Sequence, residues 1–139
     1  MRTRWTKPLP PEAKMVFKGV LFEVWQWEQK MFDGSIRTFE RLKRPNTVEV
    51  LAVVGDKIII QNQEQPDSGQ FISVPGGRTD AGEEPKTSAA RELLEETGYI
   101  SDDWELLSEE MPSGKMEWTL YNFVARNCVK KQEPEPEAG

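Results

Sequence analysis

The run Gly77-Arg78-Thr79-Asp80-Ala81-Gly82-Glu83, followed seven residues later by Arg91-Glu92-Leu93-Leu94-Glu95-Glu96-Thr97-Gly98-Tyr99, constrains this chain more than any other stretch. The adjacent Gly76 and Gly77 allow close backbone approaches that a side chain would block. From Glu84 to Thr97 the spacing predicts a helix. Ala89, Ala90, Leu93 and Leu94 form an apolar stripe, Pro85 suits the first helical position, and Gly98 suits the residue just past the end. Glu84 is not a favoured cap, so the first turn is the weaker end. Glu92, Glu95 and Glu96 fall at i, i+3 and i+4 and therefore project from one face, with Arg91 within reach of Glu95.

Carboxylates set this close repel one another. The residues alone leave two readings open, a solvated charge run or an oxygen-rich site for a hard cation such as Mg²⁺ or Mn²⁺. The acidic loop from Gly76 to Glu84 enters the same helix and adds backbone carbonyls and Glu83 to the second reading. A calcium EF-hand is a poor match, because its alternating ligands are missing, and the glycines are not a P-loop, because no Gly-Lys-Ser/Thr follows them. The chain has no histidine, which removes every histidine base and every Cys/His zinc set. Its one cysteine, Cys128, excludes an internal disulfide and fits a reducing cytoplasm. A net charge of −6 argues against a stable nucleic-acid partner, which clustered Lys and Arg would have to hold. No apolar stretch approaches membrane-spanning length.

At 139 residues the chain is long enough for one domain with a real core. The expected division is an extended arm over residues 1–15, in which Trp5 could dock on another surface, a single domain over 16–129, and an acidic, proline-rich tail over 130–139. Alternation predicts a strand from Val16 to Gln26 and a partner from Met31 to Leu42, with a turn at Asp33-Gly34. Val48 to Val54 is apolar on both faces, as a central strand covered on both sides would be. Lys57 to Gln61 is expected to be a second covered strand, Asn62 to Gln70 a polar loop, and Phe71 to Val74 a short strand. Trp104 to Met111 and Met116 to Arg126 complete the strand pattern, separated by a turn at Pro112 to Lys115.

The segment Gly77 to Tyr99 resembles the Nudix box: Gly, five residues, Glu, seven residues, Arg-Glu, an aliphatic residue, one residue, Glu-Glu, one residue, Gly, and an apolar residue. Gly77, Glu83, Arg91, Glu92, Leu93, Glu95, Glu96 and Gly98 match it, and Tyr99 is aromatic where an aliphatic residue is usual. The Val74-Pro75-Gly76-Gly77 approach is also typical. The resemblance implies an α/β/α sandwich with a mixed sheet, here expected to lack the usual final strand and helix. It implies Mg²⁺ or Mn²⁺ held by Glu92, Glu95, Glu96 and the Gly76 carbonyl. Glu83 enters as a supporting acid and Arg91 as the residue that orients the carboxylates, so the expected catalytic set is Glu83, Arg91, Glu92, Glu95 and Glu96.

In organisation the chain is similar to the ADP-ribose pyrophosphatase-like branch. That implies hydrolysis of the diphosphate in a nucleoside diphosphate derivative, with ADP-ribose or an ADP-sugar-like compound first. It also implies a homodimer built on the Val16 to Leu42 region, where Trp25, Trp27, Phe32 and Phe39 are candidates for an interface, an adenine stack or core. Two positions depart from the branch: Gln63-Glu64-Gln65 replaces a Gln-aromatic-Arg triplet whose Arg meets phosphate, and Ser73 stands where Glu is common. Glu135 and Glu137 are candidates for the general base. The alternatives are a nucleoside triphosphate-sanitising hydrolase and a non-catalytic nucleotide-binding regulator.

Overall fold

The computed structural model describes Arg2–Thr3 and residues 7–135, so Trp5 and Glu137 lie outside the described residues. The first strands are β1 (Arg2–Thr3), β2 (Lys14–Lys18), β3 (Glu23–Lys30), β4 (Ile36–Lys43) and β5 (Thr47–Val54). They are followed by β6 (Lys57–Ile58), β7 (Gln61–Gln65), β8 (Gly69–Ser73) and β9 (Gly76–Arg78). Helix α1 (Pro85–Thr97) precedes β10 (Tyr99–Ile100), β11 (Asp103–Glu110), β12 (Met116–Glu117), β13 (Leu120–Arg126) and β14 (Val129–Lys130).

β5 organises the main sheet. β13 runs parallel to it, placing Val124 opposite Leu51, while β6 and β9 pair with it antiparallel. The mixed sheet continues through β11 to β1. Val48, Val50 and Ala52 project from one face and are wholly buried with Ala89 and Leu93 of α1. Removing the Leu93 side chain would cost about 2–5 kcal/mol, the range for a filled core position that cannot collapse. The helix starts at Pro85 with no side-chain cap from Glu84, and ends at Gly98, whose φ of +79° lets its N–H reach the Leu94 carbonyl at 2.8 Å.

Among the described residues, helical cover exists on one face of this sheet only. On the other, Leu51, Val74, Leu107 and Asn122 line an open cavity of about 320 Å³. The expected cover on both faces is corrected accordingly: a mixed Nudix-like sheet carries a single helix, as a reduced α/β/α sandwich.

The second sheet has the order β12-β4-β3-β2. The single strand expected from Val16 to Gln26 is two strands, because the Gly19 N–H turns back to the Phe22 carbonyl at 2.7 Å. Trp27 is buried and meets Phe39 edge-on at 5.9 Å, whereas Phe32 is fully exposed at the β3–β4 turn. Arg41 ties three segments together. Its guanidinium lies 5.3 Å from the Trp27 ring centre and donates to the Lys7 carbonyl at 2.8 Å and to Glu117 at 3.0 Å.

Two more expectations change. Asn62 to Gln70 is no loop: β7 and β8 form a hairpin with Gln61 opposite Ser73 and Gln65 opposite Gly69. Lys57 to Gln61 is not one covered strand either: β6 is limited to Lys57 and Ile58, both exposed, and beyond it the Ile59 N–H donates to the Ala52 carbonyl at 3.0 Å and its side chain packs on the core while Ile60 is exposed.

Candidate active site

Gly76 and Gly77 bring β9 against the acidic side of α1. Gly76 faces Glu49 in the β5–β9 ladder, and the flanking Val50 N–H binds the Pro75 carbonyl at 2.8 Å. Antiparallel pairing alternates, so the N–H and C=O of Gly76 point away from β5. The N–H donates to Glu96 Oε2 at 2.9 Å. Gly77 leaves room for Glu92: a Cβ there would stand 2.6 Å from Glu92 Oε1. Glu92 is thus packed against backbone, its side chain only 8% exposed.

Arg91 is the hub of the remaining charges. Its Nη2 lies 3.0 Å from Glu83 Oε1 and 3.7 Å from Asp80, and its Nη1 lies 3.0 Å from Glu92 and 3.4 Å from Glu95. Nη2 also donates to the Arg78 carbonyl at 3.2 Å, locking the helix to the end of β9. Glu83 takes a further hydrogen bond from the Ser88 hydroxyl. The Arg91 and Ser88 donors hold the Glu83 carboxyl well below its ordinary 4.5, at about 2. The reciprocal bond to Glu83 raises the Arg91 pKa. Both groups are therefore charged at any ordinary pH.

The structure brings Glu83, Arg91, Glu92, Glu95 and Glu96 to one side of α1 and sets Gly76 beside Glu96. Among the described residues, however, no three His, Cys, Asp or Glu side chains converge as a metal-holding group. The physical reason is visible in the partners. Glu92 and Glu95 turn toward Arg91, and Glu96 turns to the Gly76 amide. The donor set itself is all oxygen, which suits a hard divalent cation.

Two features escaped the sequence reading. Ser88 lies five residues beyond Glu83 and buttresses it from within the helix, a contact that helical spacing from Glu83 could not reveal because Glu83 precedes the helix. The second is an open cleft of about 610 Å³ beside the loop of Thr79 to Glu83, walled by Lys43, Arg44 and Trp118. The run Lys43-Arg44-Pro45 ahead of the central strand was its signal.

The model of the NUDIX domain family matches residues 43–139. A methanol dehydrogenase activator of Bacillus methanolicus is 25% identical over 124 residues, covering 87% of this chain and 67% of its own. An ADP-ribose pyrophosphatase of Bacillus subtilis (strain 168) is 33% identical over 90 residues, covering 63% of this chain, which spans 49% of that relative's length. A crystal structure of an ADP compounds hydrolase superimposes with a TM-score of 0.75 over 99% of this chain and 76% of its own, at 23% identity, a likeness of fold. Among the described residues no helix is long and apolar enough to cross a membrane. With Arg91, Glu92, Glu95 and Glu96 on α1, Gly76 and Gly77 on β9 beside them and the domain model matching residues 43–139, the chain belongs to the NUDIX domain family and is related to its ADP-ribose pyrophosphatase-like members.

Proposed function

We propose that this chain is a pyrophosphohydrolase that cleaves the diphosphate of a nucleoside diphosphate derivative, with ADP-ribose or a related ADP-sugar-like compound as first substrate. The observation that carries the reading is the array on α1: Glu92, Glu95 and Glu96 on one side, backed by Gly76 and Gly77 and oriented by Arg91.

In this reading Glu92, Glu95, Glu96 and the Gly76 carbonyl hold Mg²⁺ or Mn²⁺. When bound, the cation supplies charge neutralisation and Lewis acidity toward the diphosphate. Arg91 and Glu83 are positioning residues that keep the carboxylates on this side of the helix. Water adds across one P–O bond, giving a nucleoside monophosphate and a second phosphorylated product, and a carboxylate takes the water proton. Glu135 is the base candidate within the described residues, because its backbone N–H meets the Glu95 carbonyl at 2.6 Å and brings the tail onto the helix.

The remaining features follow the same reading. Residues 16–129 act as one catalytic domain in a reducing cytoplasm, where buried Cys128 stays a thiol. A homodimer forms through the second sheet, whose edge strand β2 exposes Val16 and Phe17. Light scattering that finds a monomer at micromolar concentration would remove the dimer.

The experiment is divalent-dependent release of AMP from ADP-ribose, run beside NADH, diadenosine polyphosphates and ordinary and oxidised nucleoside triphosphates. ADP-ribose is expected to be the best substrate. Folded protein that cleaves none of them with Mg²⁺ or Mn²⁺ overturns the reading, and calorimetric binding without turnover would identify a regulator instead.

A further inference from the structure

Ser88 falls among the seven residues that the box leaves open between Glu83 and Arg91, yet it is wholly buried. A hydroxyl taken out of water needs a partner, and inside a helix it ordinarily turns to a carbonyl of its own backbone. Here it reaches off the helix instead. It donates to the carboxylate of Glu83, in the loop that precedes α1.

That contact completes a full set of donors around Glu83. Oε1 accepts the Ser88 hydroxyl, the Asp80 N–H at 3.2 Å and Arg91 Nη2 at 3.0 Å, and Oε2 accepts Arg91 Nε at 3.1 Å. Glu83 therefore meets one edge of the guanidinium with both oxygens, the strong geometry for such a pair. The remaining nitrogen, Nη1, reaches Glu92 at 3.0 Å and Glu95 at 3.4 Å. One arginine is thus divided between an anchor in the loop and two members of the glutamate array. Whatever holds it on Glu83 keeps it from closing further on Glu92 and Glu95.

We infer that Ser88 is a positioning residue for the array: its hydroxyl pins Glu83, Glu83 holds Arg91, and Glu92 and Glu95 are thereby left able to take a divalent cation. The inference rests on the diphosphate-hydrolase reading and adds to it a residue that the box pattern does not specify. Arg91 cannot fix Glu83 unaided, because its own long side chain moves with its partner. The Ser88 hydroxyl and the Asp80 amide are the donors held by backbone and packing. With the hydroxyl gone, the guanidinium is free to follow the charges on its own helix, where Glu95 stands at i+4, and to compete there with a cation.

The test measures Mn²⁺ binding to the full chain by electron paramagnetic resonance, beside Mg²⁺-dependent hydrolysis of ADP-ribose. It compares wild type, Ser88→Ala, Ser88→Cys, Glu83→Gln and the double variant Ser88→Ala/Glu83→Gln. Ser88→Ala is expected to weaken Mn²⁺ binding about fivefold, within the range of couplings relayed through a side-chain network. Ser88→Cys keeps the buried volume filled but donates only weakly, and should weaken binding as well. Half-maximal hydrolysis should need correspondingly more Mg²⁺. Glu83→Gln should also weaken Mn²⁺ binding, and adding Ser88→Ala to it should change the affinity by less than about twofold, because the hydroxyl acts through the Glu83 charge. Unchanged Mn²⁺ affinity in folded Ser88→Ala or Ser88→Cys, or losses that multiply in the double variant, overturns the positioning role, and hydrolysis by wild type would leave the hydrolase reading standing. If the affinities shift as expected but wild type cleaves nothing, Ser88 keeps its role and the hydrolase reading fails alone. A wild type that binds no Mn²⁺ overturns both.

Discussion

Arg91 Nη2 and Glu83 Oε1 lie 3.0 Å apart, joining the loop that precedes α1 to the helix that carries the glutamates. This pair predicts an acid-sensitive contribution to stability. Glu83 titrates at about 2 in the fold against an ordinary 4.5, so between these values the unfolded chain binds more protons and stability rises with pH. The contribution is complete above the ordinary value and is lost as pH falls toward about 2. Thermal melts of wild type and Glu83→Gln should differ by a constant amount above pH ~5 and converge below it. A difference that stays constant into strong acid would remove the ion pair as its source.

The two glycines of β9 predict opposite phenotypes. At Gly77 an added Cβ would stand 2.6 Å from Glu92 Oε1 and 2.7 Å from its Cδ, so it displaces a side chain of the array. Gly77→Ala should lower turnover by about 100-fold, the scale of a misplacement near 1 Å. At Gly76 the same Cβ runs into the Val48 carbonyl and the Glu49 Cα, which are backbone of the central strand. Gly76→Ala should therefore cost about 2–3 kcal/mol of stability. Denaturant melts and turnover of the two variants, measured together, separate the effects. Equal loss of stability in both would contradict the assignment of Gly77 to the site.

These residues also show how much could be read beforehand. Pro85, the Ala89 and Leu93 stripe and Gly98 carried local signals strong enough to place α1, and alternation placed β5 because both of its faces are apolar. The β7–β8 hairpin gave no such signal. Gln61, Asn62, Gln63, Glu64 and Gln65 are polar throughout, so no buried face marks their period. Ile58 and Ile60 misled in the opposite sense, since an apolar run implies burial but both side chains are exposed. At the site, helical spacing put Glu92, Glu95 and Glu96 on one side of α1, where the structure has them turned to Arg91 and the Gly76 amide. The same spacing set Arg91 within reach of Glu95, but it could not foresee that Arg44 would stack on Trp118, a contact made across the chain.

Gly98 predicts how the tail is held. Its φ of +79° is left-handed, and its carbonyl accepts the N–H groups of Lys131 at 2.8 Å and Gln132 at 3.2 Å. A Cβ there would meet the Gln132 carbonyl. Gly98→Ala should cost about 1–2 kcal/mol from backbone strain alone, and more through loss of the tail contact. The melting temperature should fall, and hydrogen exchange at Lys131 and Gln132 should speed up more than in β5. Uniform acceleration would show that the tail is not a separate unit.

Glu96 offers the sharpest separation of chemistry from folding. Its Oε2 accepts the Gly76 N–H at 2.9 Å, and the carbonyl oxygen of a glutamine could keep that bond while losing the charge. Glu96→Gln should thus leave the melting temperature within a few degrees of wild type. Hydrolysis should fall by about two orders of magnitude or more, because the lost charge acts where the diphosphate reacts. Chelation of divalent cations should abolish wild-type hydrolysis, and added Mg²⁺ or Mn²⁺ should restore it. Near-wild-type turnover in Glu96→Gln would show that the Gly76 contact is a structural fastening, and the grip on the cation would then have to come from Glu92 and Glu95 after their release from Arg91.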